Sequence, residues 1–176
     1  IGSFTYHLVS VKDAAGTAGC FQNQPDTVVI IVNPLPTATI IGNNTVCQNA
    51  PSPFITFTAF GGSIAPFTFT YKINGGPDLA INTTSGNSVT LPVPTNIAGS
   101  FNYTLVSVRD ASATACSQLQ PASVTITVNP LPLATISGTT EVCVNAVSPV
   151  VTFSGSSGTA PYTFTYALNG GPPQSV

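Results

Sequence analysis

Between Phe67 and Ile73 the chain alternates: Phe67, Phe69, Tyr71 and Ile73 fall on one side of an extended backbone, and Thr68, Thr70 and Lys72 on the other. A period of two marks a strand with one buried face. Alternating or β-branched runs predict further strands over 37–41, 55–60, 88–93, 101–109 and 123–128, and short ones at 45–47 (an edge segment) and 79–81. Breakers separate them. Gly42-Asn43-Asn44, Gly61-Gly62-Ser63 and Asn74-Gly75-Gly76-Pro77 are turn sequences, and Asn-Gly supplies two positions that tolerate positive φ. Pro92 and Pro94 mark 88–93 as an edge or a strand end. The stretch 110–122, with Cys116, reads as a loop.

Seven or eight short strands with turns about every ten residues predict an all-β fold, a β-sandwich of immunoglobulin type. Tyr103 stands where such sandwiches place a tyrosine corner. The antibody hallmarks are missing: the chain has no Trp, and neither 55–60 nor 101–109 contains a Cys.

The pattern also repeats. Pro34-Leu35-Pro36 returns as Pro130-Leu131-Pro132, Cys20 as Cys116 and Cys47 as Cys143, each 96 residues on. Residues 34–53 and 130–149 share 13 of 20 positions, and 2–13 and 99–110 share 9 of 12. Unrelated landmarks with one period define a tandem array. Residues 1–33 form the C-terminal part of one repeat, 34–129 a complete repeat, and 130–176 the N-terminal half of a further one. The expectation is a window on a longer array of sandwiches. Short Pro-rich linkers join them, Pro34, Leu35 and Pro36 at one junction and Pro130, Leu131 and Pro132 at the next.

Composition narrows the function. Charged residues are 5% of the chain, against about 25% in ordinary soluble domains. Three Lys and Arg cannot build a phosphate-tracking patch, so nucleic acid is excluded as a partner. No run of 18 apolar residues is present, so no membrane-inserting helix is read in this window. Apolar β-formers are too plentiful for disorder.

Candidate chemistry is sparse. Two Cys per repeat, in register, read as staples of a secreted domain. Pairing Cys47 with Cys116 closes a loop within one repeat and contributes about 4 kcal/mol by loop entropy, leaving Cys20 and Cys143 to partners outside the window. The alternative bridges neighbouring repeats, Cys20 to Cys47 and Cys116 to Cys143. Free thiols are the third reading. No CxxC or His cluster suggests zinc, and the five acids are too scattered for calcium or paired-carboxylate chemistry. His7 is replaced by Thr104 in the next repeat, and Lys72 by Ala167. Lys12 with Asp13, and Arg109 with Asp110, read as surface ion pairs at a strand end. No Ser occupies a nucleophile-elbow setting, so no enzyme activity and no cofactor is expected.

The succession N-P-L-P, T-x-x-x-x-x-x-V-C-x-N-A, P-[FY]-T-F-T-Y-x-[IL]-N-G-G and G-S-F-x-Y-x-L-V-S-V-[KR]-D, followed by a second Cys, resembles the immunoglobulin-like or PKD-like repeats of giant Bacteroidetes surface adhesins, including gliding-motility adhesins of the SprB type. The resemblance covers the whole window. It implies an extracellular, cell-surface filament exported by type IX secretion and serving adhesion or gliding. It departs from the family before Cys116, where many such repeats carry an acidic Asp-x-x-Gly-Cys loop. Asp26-Thr27-Val28 fits the short O-glycosylation pattern of that phylum and makes Thr27 a candidate site.

Two functions are expected to compete. In the first, the repeats stack into a stalk, and the partners are neighbouring repeats, other copies of the filament or surface glycans. In the alternative, the repeat is a carbohydrate- or protein-binding module of a secreted protein, with Phe60 and Phe67 as candidate stacking aromatics.

Overall fold

The structure, a computed structural model, describes residues 1–17, 19–62, 64–138 and 141–176. Ser63, placed by the sequence in the turn after Gly62, lies outside the described residues. Among those described, the chain is all-β, with sixteen strands and no helix. Residues before the first Pro-Leu-Pro form β1 (Gly2–His7), β2 (Ser10–Lys12), β3 (Phe21–Asn23) and β4 (Thr27–Val32). The complete repeat holds β5 (Pro36–Ile41), β6 (Asn44–Cys47), β7 (Phe54–Gly61), β8 (Thr68–Ile73), β9 (Leu79–Asn82), β10 (Ser88–Pro92), β11 (Gly99–Arg109) and β12 (Ser117–Asn129). The last repeat shows β13 (Leu133–Gly138), β14 (Val151–Ser156), β15 (Thr165–Tyr166) and β16 (Gln174–Ser175).

The complete repeat makes a three-stranded sheet, β10-β7-β5, and a five-stranded sheet, β6-β12-β11-β8-β9. β5 and β7, β8 and β9, and β8 and β11 pair antiparallel, whereas β6 runs parallel to β12. By contacts the chain forms two compact units that do not follow the repeat boundaries.

The first unit comprises Ile1–Ile41, Thr56–Thr90 and Tyr103–Ser123. Here β1 pairs with β4 and β2 with β3. β5 alternates buried and exposed along its whole length, as its sequence dictates. Its buried residues join Phe57 and Ala59 of β7, Phe67, Phe69 and Tyr71 in or beside β8, and Tyr103, Leu105 and Val108 of β11. The Phe57 ring lies 5.5 Å from Phe69 and 5.4 Å from Tyr71, so the three-stranded sheet packs face to face on the five-stranded one. Burying each such side chain contributes roughly 1.5–3 kcal/mol. Between β8 and β9, Asn74 (φ 50°) and Gly75 (φ 71°) form the central pair of a type I′ turn, closed by Gly76 N–H donating to the Ile73 carbonyl at 2.9 Å.

The second unit comprises Gly42–Ile55, Leu91–Asn102 and Val124–Val176. Ile55, Val93, Val124, Ile126 and Val128 supply its buried apolar residues. β6 lies along β12 from Asn44 opposite Ile126 to Cys47 opposite Asn129. β13 pairs with β14 and β15 with β16. Phe153 stands 5.7 Å from Phe164 and 5.1 Å from Tyr166, repeating the aromatic trio of the complete repeat.

Two boundaries differ from expectation. Pro36 is not linker: it opens β5 and is fully buried, because as the first residue of a strand it gives up no ladder donor. β12 begins at Ser117, six residues before the expected strand, and absorbs the last six residues of the expected loop. Its early part carries Gln118 and Gln120 half-buried, a polar alternation that hydropathy does not reveal.

Candidate functional site at the ends of the repeat

Two loops, one in the complete repeat and one in the repeat before it, are each held by an aspartate. In the complete repeat, Asp110 N–H donates to the Cys116 carbonyl at 3.0 Å and closes the loop. The Asp110 side chain is 3% exposed, and its Oδ1 accepts from the Ser112 hydroxyl at 2.7 Å and the Ser112 N–H at 3.2 Å. Ala111 N–H donates to the Ile64 carbonyl at 2.9 Å, which ties the loop to the turn before β8. Asp13 does the same in the preceding repeat: its N–H reaches the Cys20 carbonyl at 3.0 Å. Its Oδ1 accepts from Cys20 N–H at 2.6 Å and Ala15 N–H at 3.0 Å. These bonds, Cys20 first and then Ala15, hold the Asp13 carboxyl below the ordinary carboxylate value.

The chain enters the complete repeat beside this loop. A Cβ on Gly62 would lie 3.2 Å from Pro36 Cβ and 3.5 Å from Asp110 Cβ, so the first residue of β5, the turn after β7 and the loop are neighbours. Asn33, the last residue before Pro34, donates from Nδ2 to Thr114 Oγ1 at 3.0 Å. Thr114 Oγ1 in turn lies 3.2 Å from Cys116 Sγ.

Cys47 stands where the chain leaves. It faces Asn129, the last residue of β12, and the turn after it is fastened on both sides. Gln48 N–H donates to the Asn129 carbonyl at 2.8 Å, and Gln48 Nε2 to the Asn96 carbonyl at 2.8 Å. Thr95 Oγ1 donates to the Ala50 carbonyl at 2.6 Å. A cavity of about 410 Å³ is lined by Cys47 and Asn129 and, from the next repeat, by Pro132, Gly158, Thr159 and Pro161.

The expected disulfides are corrected. Cys20, Cys47, Cys116 and Cys143 are all free thiols, three of them exposed and Cys116 half-buried. β12 explains why Cys47 and Cys116 do not pair: Cys116 immediately precedes its first residue, while Cys47 faces its last. Cys116 to Cys143 fails for a related reason. The chain leaving β12 continues into β13, which pairs with β14, and does not run back along β12.

The remaining candidates scatter. Thr27 is exposed in β4 opposite His7, and its hydroxyl lies 3.0 Å from His7 Nδ1. Leu35 is exposed and Pro34 half-buried, whereas Pro130, Leu131 and Pro132 are all exposed. Of the two aromatics considered for stacking, Phe60 is 50% exposed but Phe67 only 6%, so they do not make a platform. Lys72 Nζ lies 3.5 Å from Asp78 Oδ1 on the β8–β9 hairpin, a surface pair contributing ~0–1 kcal/mol. Tyr103 is buried opposite Ile73, and burial, then the neighbouring Tyr71 charge, raises its hydroxyl above the ordinary value. Among the described residues no three His, Cys, Asp or Glu gather as metal ligands. The cavity of about 350 Å³ around Phe153, Phe164 and Tyr166 is lined by the counterparts of buried residues of the complete repeat, so it is repeat interior.

Asp13 and Asp110 are the residues the sequence reading misplaced. They read as surface ion-pair partners and are instead loop braces. The available signal was Asp110-Ala111-Ser112, since Asp commonly bonds backbone two residues on. In comparisons with known proteins, no family model, curated protein or solved structure matches this chain.

Proposed function

We propose that this chain is a segment of a stalk: immunoglobulin-like sandwiches stacked end to end in an extracellular surface filament that serves adhesion or gliding motility. The observation that carries the reading is the path of the chain through one repeat. It enters at Pro36, beside the Asp110–Cys116 loop, and leaves at Asn129, where β12 ends beside Cys47. Repeats that recur in tandem through short linkers stack each unit on its neighbours in sequence.

The immunoglobulin-like assignment is favoured by a three-stranded and a five-stranded sheet packed face to face and by the sheet order β10-β7-β5 against β6-β12-β11-β8-β9. The edge strand beside β12, β6, is only four residues long, and a very short edge strand offers little template for wrong pairing. Neighbouring repeats of the same chain are the principal partners in this reading, and the function is reach and stiffness.

The test is antibody against residues 34–129 applied to intact cells of the source organism, read by electron microscopy. Label strung along thin filaments leaving the outer surface supports the stalk. Label found only in the medium, with no filament, overturns it.

A further inference from the structure

Cys47 stands beside the residue at which the chain leaves a repeat, and Cys116 beside the residues through which it enters one. We propose that each junction is closed by a disulfide between the first cysteine of one repeat, the Cys47 position, and the second cysteine of the repeat that follows, the Cys116 position. This pairing differs from those corrected above, and it joins residues more than one repeat apart in sequence.

Two observations from different junctions converge on it. At the junction before the complete repeat, Asn33 is the counterpart of Asn129, each directly preceding a Pro-Leu-Pro. Asn129 is the residue that Cys47 faces across adjacent strands, which lie about 4.8 Å apart. The first cysteine of a preceding repeat therefore stands one strand from Asn33. Asn33 reaches Thr114 at 3.0 Å, and Thr114 reaches the Cys116 sulfur at 3.2 Å. That cysteine and Cys116 thus flank the same pair of polar side chains.

The junction after the complete repeat gives the same answer from the other partner. Cys47 lines a cavity together with Gly158 and Thr159. Gly158 is the counterpart of Gly62, which in the complete repeat is packed against Asp110 at the root of the second-cysteine loop. A completed following repeat places that loop beside Gly158, on the cavity that Cys47 lines. The four thiols are free in this chain because none of its cysteines has its junction partner within residues 1–176.

The chemistry is thiol–disulfide exchange. Two thiols lose two protons and two electrons to form the S–S bond, and a small-molecule disulfide such as glutathione disulfide is reduced to two thiols. Exposure of Cys47 and half-exposure of Cys116 leave both sulfurs open to such an oxidant. A staple at every junction would fix the angle between repeats and carry load across the linker.

The inference rests on the end-to-end stacking proposed above, and the experiment separates the two. The 176-residue chain is extended with a copy of residues 82–129, which completes its last repeat, and is folded in a glutathione redox buffer. Non-reducing peptide mapping is expected to find one disulfide, from Cys47 to the added copy of Cys116, with Cys20, the original Cys116 and Cys143 alkylated as thiols. The unextended chain is expected to titrate as four thiols under the same conditions, and Cys47→Ser in the extended chain to free the added thiol. X-ray scattering of the same sample reads the stacking. An extended profile with five free thiols, or with Cys47 linked within its own repeat, overturns the staple alone. A compact profile overturns the stacking and the staple with it.

Discussion

At the scale of single residues, the complete repeat depends on a small aromatic centre and a few satisfied polar groups. Phe57 is fully buried and touches Phe69 and Tyr71, whereas Phe54, three positions earlier, is 60% exposed. Phe57→Ala is expected to cost about 3–5 kcal/mol and Phe54→Ala under about 0.5 kcal/mol, read by denaturant unfolding. Thr83 is less obvious. It is 2% exposed; its hydroxyl accepts the Phe67 N–H at 2.9 Å, and its own N–H donates to the Phe67 carbonyl at 2.9 Å. Thr83→Val keeps the shape and strands the Phe67 donor, so a loss of about 1–3 kcal/mol is expected in the same assay, with Thr83→Ser much milder. Nothing in Asn82-Thr83-Thr84 distinguishes Thr83 from its neighbours, because its importance comes from a partner sixteen residues away.

Asp13 belongs to the same scale. Its folded carboxyl is held below the ordinary value by bonds from Cys20 and Ala15, so the bonds favour the ionised form. Their contribution is fully present above the unfolded value of about 3.9 and is lost as pH falls through the lower folded value. Carboxyl NMR titration is expected to place Asp13 below the ordinary aspartate value. The Cys20 amide should lose its shift dispersion along the same curve.

At the scale of elements, the period-two pattern located β5, β7, β8, β11 and the later part of β12, because each carries buried apolar residues on one face, whereas β6, β9 and β10 have only half-buried ones. The errors fell where burial is not the determinant. The early half of β12 alternates Gln and small residues, and Pro36 looks like punctuation until it is seen to occupy a strand's first position. The Asn74-Gly75 turn was legible because its chemistry is local: both residues need positive φ, and a Cβ at Gly75 would meet nothing within 4 Å. Gly75→Ala is therefore a pure backbone test, expected to cost roughly 1–2 kcal/mol and to leave the core unchanged by near-UV spectra.

At the scale of the whole molecule, the repeat itself was legible and the placement of its cysteines was not. Spacing along the chain suggested a staple inside the repeat, but both thiols are free: Cys116 precedes the first residue of β12, and Cys47 pairs with its last. No count of residues between cysteines contains that information, since it depends on β6 running parallel to β12 and meeting it at Asn129. The same geometry underlies the central claim that the repeats add end to end. Small-angle X-ray scattering of chains with one, two and three complete repeats tests it most directly. The account predicts a maximum dimension that grows by roughly 40 Å with each repeat, the length of β12, at nearly constant cross-section. A maximum dimension that grows only as the cube root of mass, with a thickening cross-section, would contradict it.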